Sequence, residues 1–233
     1  MPITSIAKIG RVGAFDDITL APDAVTTEST RAPSATESPF ATSEKRWGLY
    51  LTEILLHRTS EFVGRYNQLY FTSIAWDLSG EEPIIYPPTN MKPSDLIIPV
   101  RTHEPHKLLG DGVLMFPPRK VVGALQLVVL VFENDQRNRE WGQILTQLRK
   151  AVDESELIKL LGKISVDPNM AMAVSIAAAA NALAGVIGEL MTKDGDDFVS
   201  AFTGGFGTDK LQTPRAEVSE TSEASIKLEL TIS

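Results

Sequence analysis

Cysteine is absent from the 233 residues, which removes disulfide staples, thiolate zinc centres and cysteine nucleophiles in any redox compartment. Positive charge is scarce as well: 22 Lys and Arg face 30 Asp and Glu, and the net charge is -8. Such a chain repels phosphate backbones, so nucleic acid is not an expected partner. The first twenty residues, MPITSIAKIGRVGAFDDITL, lack the continuous apolar core of a secretory leader, and a cytoplasmic location is the expectation. Histidine occurs only three times, so triad chemistry would have to recruit His57, His103 or His106. There is no Gly-x-Ser-x-Gly elbow, no Gly-Lys-Ser/Thr phosphate loop, no internal repeat and no heptad run.

What remains is a chain with 43% hydrophobic and 22% charged residues, enough for one large β-rich domain with a well-buried core. Residues 1–44 stand apart. The stretch APDAVTTESTRAPSATESPFATSE at 21–44 shows no apolar period and reads as a flexible linker. Before it, Ile6, Ile9, Val12, Phe15, Ile18 and Leu20 would suit a strand or clip that docks on the body or on a partner.

From Lys45 the pattern turns to short apolar runs between proline and glycine, the habit of an antiparallel β domain that we place at 45–233. Trp47, Leu49 and Leu51 alternate. In YNQLYFTSIAWDL, residues 66–78, both alternating sets are largely apolar or aromatic, which predicts a strand covered on both faces. Pro87, Pro88, Pro93, Pro99, Pro105, Pro117 and Pro118 cut the next stretch into edge strands and loops, because proline donates nothing to a ladder. The run Val121 to Asp135, VVGALQLVVLVFEND, predicts a buried central strand that ends in an acidic loop.

The period then changes from two to 3.6. Trp141, Ile144, Leu145, Leu148 and Val152 share one helical face, predicting a helix over about 138–152. Shorter helical periodicity follows at 154–163, and Asp167 with Pro168 caps an Ala-rich stretch at 168–191. Together they predict a helical insert of about three helices at about 138–192. The chain then returns to β structure. Phe198, Ser200 and Phe202 alternate, Gly204-Gly205 marks a bulge or a tight approach, and SIKLELTIS places Ile226, Leu228, Leu230 and Ile232 on one face.

LQLVVLVFENDQ and SIKLELTIS together resemble the sixth and last strands of C2-type β-sandwiches. The resemblance implies an antiparallel sandwich. The expected fold class is therefore α+β, mainly β: a C2-like antiparallel β-sandwich with the helical insert between its penultimate strands. That family carries calcium on aspartates of its loops. Its Asp-Pro-Tyr-Val-like run is missing here; Asp77 in YFTSIAWDL and Asp135 beside Glu133 are the nearest counterparts.

Four aspartates are the candidate metal ligands. Asp135 follows the apolar strand, and Asp194, Asp196 and Asp197 crowd one turn in MTKDGDDF, where carboxylates could supply oxygens to calcium. The EF-hand pattern fails there, since Val199 stands where its glycine is required and Gly205 where its glutamate is; a solvated turn explains the cluster equally. No other cofactor is indicated. In RTHEPHK, His103 and His106 lie near Glu104 and Asp111, but Pro105 breaks the helical turn that a zincin needs. In FTGGFGTDK the glycines fit a β-bulge better than a phosphate cradle.

No catalytic constellation stands out, so the leading expectation is a non-catalytic binding or assembly module with a protein partner or self-association. A membrane-active protein using the Ala-rich helix 168–191 is one alternative. Alanine contributes little transfer energy, however, and Ile176, Leu183, Val186, Ile187 and Leu190 gather mostly on one side as in a buried soluble helix. A hydrolase using the His103 and His106 loop is the other.

Overall fold

The chain folds into two antiparallel sheets. The computed structural model describes residues 4–5, 40–58, 66–79, 81–88, 91, 97–133, 197–208 and 211–233. In chain order the strands are β1 (Thr4–Ser5), β2 (Thr42–Leu56), β3 (Tyr66–Trp76), β4 (Ile84–Tyr86), β5 (Ile98–Arg101) and β6 (His106–Lys107). They continue with β7 (Val113–Val122), β8 (Ala124–Glu133), β9 (Asp197–Gly207), β10 (Arg215–Glu220) and β11 (Ala224–Ile232). Sheet A has the order β1-β9-β8-β3-β4, with β5 also pairing β3. Sheet B has the order β10-β11-β2-β6, with β7 also pairing β2.

This arrangement is compatible with a β-sandwich and corrects the expected fold class. No α-helix is found among the described residues, so over those residues the α+β assignment gives way to an all-β architecture. The physical reason is that every described apolar run is a continuous or period-two strand, whereas all of the 3.6-period sequence falls between β8 and β9. The expected insert at 138–192, with its helices at 138–152, 154–163 and 168–191, lies outside the described residues, as does most of segment 1–44.

The core lies between the sheets. Sheet B contributes Trp47, Leu49, Leu51, Ile54 and Leu56 from β2 and Ile226, Leu228 and Leu230 from β11; sheet A contributes Leu69, Phe71, Leu125, Leu127, Val129, Val131, Phe202 and Phe206. Each such side chain contributes about 1.5–3 kcal/mol when fully buried. The alternation in β2 changes phase after Leu51, because Lys227 pairs with Glu53 while Leu228 pairs with Leu51. Thr52 is the extra residue of a bulge, which returns Ile54 and Leu56 to the core.

The central strands of sheet A are buried on both sides, as their sequence predicts. All of β8 is buried, and on its second face Tyr70, Ile74, Trp76, Val128 and Leu130 of β3 and β8 are buried too. Prolines in strands fall on sheet edges: Pro99 in β5 and Pro117-Pro118 in β7, which pairs only with β2.

Two local expectations change. The run Val121 to Phe132 is not one strand. Val121 and Val122 end β7 in sheet B, Gly123 adopts φ +69°, and Ala124 opens β8 in sheet A. Glycine reaches that backbone conformation freely, so one residue turns the chain from sheet to sheet. The bulge expected at Gly204-Gly205 lies at Val199 instead, since Val131 pairs with Ser200 and Phe132 with Phe198. Gly205 does serve a close approach: a Cβ there would lie 2.6 Å from Gln126 Oε1.

Candidate functional site

The outer face of sheet B carries a groove of about 470 Å³, and strand register explains its lining. Val218, Lys227, Glu53 and Lys107 pair in sequence across β10, β11, β2 and β6, so they form one row on one face. Ala216, Glu229, Tyr50 and Leu114 form the neighbouring row. The Thr52 bulge separates the rows. Its hydroxyl donates to the Lys227 carbonyl at 3.3 Å and to Glu229 Oε1 at 3.4 Å, fixing β2 to β11 beneath the groove.

The wall is loop 108–112. β6 and β7 run along the same edge of β2, with Lys107 opposite Glu53 and Val113 opposite Leu51, so the residues between them form a loop in which Leu108 packs against the core and Leu109, Gly110 and Asp111 are exposed. Leu108 N donates to Thr52 O at 2.9 Å, and Gly112 N to Leu109 O at 3.2 Å. The second bond closes a turn with Gly110 at its first central position, where φ is +64°. Leu109, at the tip, is 96% exposed. This leucine thus presents its apolar side chain to solvent from a turn held by backbone bonds. Leu114 and Val218, 42% and 63% exposed, extend the apolar contact on either side of the charged floor.

The groove's charges are partly matched internally. Lys227 Nζ lies 3.2 Å from Glu229 Oε1, while Glu53, Asp111 and Lys107 make no ion pair among the described residues. The lining offers hydroxyls of Tyr50, Thr52 and Thr231 but no imidazole. Such a set can hold a charged or hydrogen-bonding partner.

A second polar cluster ties the sheets together. Asp77, with no exposed side-chain surface, accepts from Val122 N at 3.0 Å, from Arg119 Nη2 at 3.0 Å and from Ser79 Oγ at 2.5 Å. Arg119 also pairs with Glu81 and lies over the Phe116 ring. The C2 resemblance makes Asp77 a calcium-loop counterpart, but its oxygens are taken up by a guanidinium, a hydroxyl and backbone amides.

The residues singled out in the sequence are not gathered into one place. Asp135, Asp194 and Asp196 lie outside the described residues; Asp197 opens β9, paired with Glu133. No group of three or more His, Asp or Glu that could hold a metal lies among the described residues. His103 sits in an exposed turn at φ +65°, and His106 pairs with Ile54 in β6. Neither lines the groove. His57 follows the end of β2, its Nε2 3.4 Å from Glu220 Oε1. No helix among the described residues is long and apolar enough to cross a membrane, and the Ala-rich stretch 168–191 is outside them.

Sequence reasoning passed over Tyr50, Glu53, Lys107, Leu109, Lys227 and Glu229. One signal for them was present in SIKLELTIS, whose solvated positions are Lys227, Glu229 and Thr231. Comparison with known proteins found no matching family model, no matching curated protein and no matching solved structure.

Proposed function

We propose that the protein is a non-catalytic binding module that docks a protein partner on the outer face of sheet B, with Leu109 as the apolar anchor and the groove beside it receiving a charged side chain. The observation that carries this reading is the 96% exposure of Leu109 on a backbone-bonded turn. An apolar side chain held out in this way gains free energy when a partner covers it, about 1.5–3 kcal/mol for full burial. The groove holds three carboxylates, Glu53, Asp111 and Glu229, against two lysines, Lys107 and Lys227, and this acidic balance favours a partner that offers lysine or arginine, which also suits a chain of net charge -8. The C2-type kinship belongs to the same proposal. Its support is that LQLVVLVFE forms central β8 of sheet A and SIKLELTI lies within β11 of sheet B.

The test is site-specific photo-crosslinking in the native host, with the reactive residue at position 109 or 53 and a control at exposed position 104. A discrete heterologous adduct at both groove positions and none at the control is expected. Adducts equal to the control at 109 would overturn the proposal, and an adduct only between two copies of the chain would reassign the face to self-association.

A further inference from the structure

The second face of sheet A contains polar groups that its apolar surroundings do not explain. Trp76, Gln126 and Gly205 are register partners across β3, β8 and β9, so Trp76 and Gln126 project from the same face. The next rows are Ile74, Val128 and Thr203, then Thr72, Leu130 and Ala201. Trp76 and Gln126 are each only 1% exposed. Trp76 Nε1, Gln126 Nε2 and Gln126 Oε1 nevertheless have no hydrogen-bond partner among the described residues.

Gly205 shows where the carboxamide sits. A Cβ at that position would lie 2.6 Å from Gln126 Oε1 and 3.0 Å from Nε2, so the amide rests directly on the β9 backbone, in space that only glycine provides. The row thus presents two donors and one acceptor, fixed by the sheet and removed from bulk solvent. Buried polar groups are almost always bonded, either to protein or to ordered water.

We infer that the Trp76, Gln126 and Gly205 row is a buried binding site for a small neutral guest that both accepts and donates hydrogen bonds, and that its occupant is water. The chemistry matches: a buried water makes about three hydrogen bonds, and the row supplies three unbonded polar atoms. Trp76 Nε1 and Gln126 Nε2 donate to the water oxygen, and the water donates to Gln126 Oε1. A charged guest is excluded by the lack of a countercharge in the row, and an apolar one would leave all three atoms unbonded. The site would join β3 to β8 on the side of sheet A away from the intersheet core.

Water cross-relaxation in the ¹⁵N-labelled full chain tests this. The expected result is a cross-peak between water and the Trp76 indole proton with opposite NOE and ROE signs, marking a long-lived water, identified by its loss in Trp76→Phe. Gln126→Leu should abolish the Trp76 cross-peak. No cross-peak in the parent protein, or one that persists in Gln126→Leu, overturns the assignment; the parent measurement decides even if the variant fails to fold.

Discussion

Gly112 stands against the main-chain carbonyl of Leu51 so closely that a Cβ at position 112 would collide with the Leu51 oxygen, and its φ of +90° lies where side chains are strained. The two residues together fasten the base of loop 108–112 to β2. Gly110, at the top of the same loop, has φ +64° but nothing within 4 Å of its would-be Cβ. Gly110→Ala should therefore cost about 1–2 kcal/mol, the backbone term alone, and Gly112→Ala should cost more because the clash adds to it. Urea denaturation of the two variants checks the order, and equal losses would count against the fastening role.

Removing the anchor has the opposite profile. Leu109→Ser touches no core contact, so its unfolding free energy should change by less than about 0.5 kcal/mol, while the crosslinked adduct expected at position 53 should disappear. A folded Leu109→Ser protein that still gives the adduct would show that the leucine is not the anchor.

The Asp77 cluster allows a sharper energetic test. Arg119→Met leaves a buried carboxylate without its cation and should cost about 2–4 kcal/mol, below the usual upper range because Arg119 keeps some contact with water. Glu81, 62% exposed, contributes little by the same reasoning, and Glu81→Gln should stay within about 0.5 kcal/mol. In a double-mutant cycle, Asp77→Asn should recover part of the Arg119→Met loss; strict additivity would show that the pair is not coupled.

Burial raises the Tyr86 phenol above its ordinary value of 10.0. In the unfolded chain that phenol ionises first, so above pH 10 the unfolded state loses a proton that the folded state still holds. Stability from this group is full below pH 10 and falls as pH rises toward the folded value. Tyr86→Phe, which keeps the ring stacked on Phe71 at 5.0 Å, should flatten the alkaline decline in denaturation midpoint. A decline of unchanged slope would assign it to other groups.

Much of the β framework was legible in the sequence because its signals are local. The two apolar sets of β3, the aliphatic run of β8 and the alternation of β11 each follow from the residues of one strand. Pairing is not local, and the groove depends on it: Lys227 meets Glu53 only because β11 lies beside β2, and Lys107 joins them only because β6 takes the far edge. The Thr52 bulge was hidden for a related reason, since a phase change between Leu51 and Ile54 looks like an interruption until the partner strand fixes the register. Val121 to Phe132 misled in the other direction. Hydrophobicity is continuous across Gly123, whereas sheet membership is not, and only the backbone angle at that glycine reveals the break.

That junction gives the molecule a load path. Force applied at Leu109 enters β7 through Val113, runs the length of that strand and reaches β8 across a single residue, with no slack loop to absorb it. β8 is flanked by β3 and β9 along almost its whole length, so the tension would be shared by the most deeply buried strands. A partner pulling on the tip of sheet B would thus be pulling on the centre of sheet A.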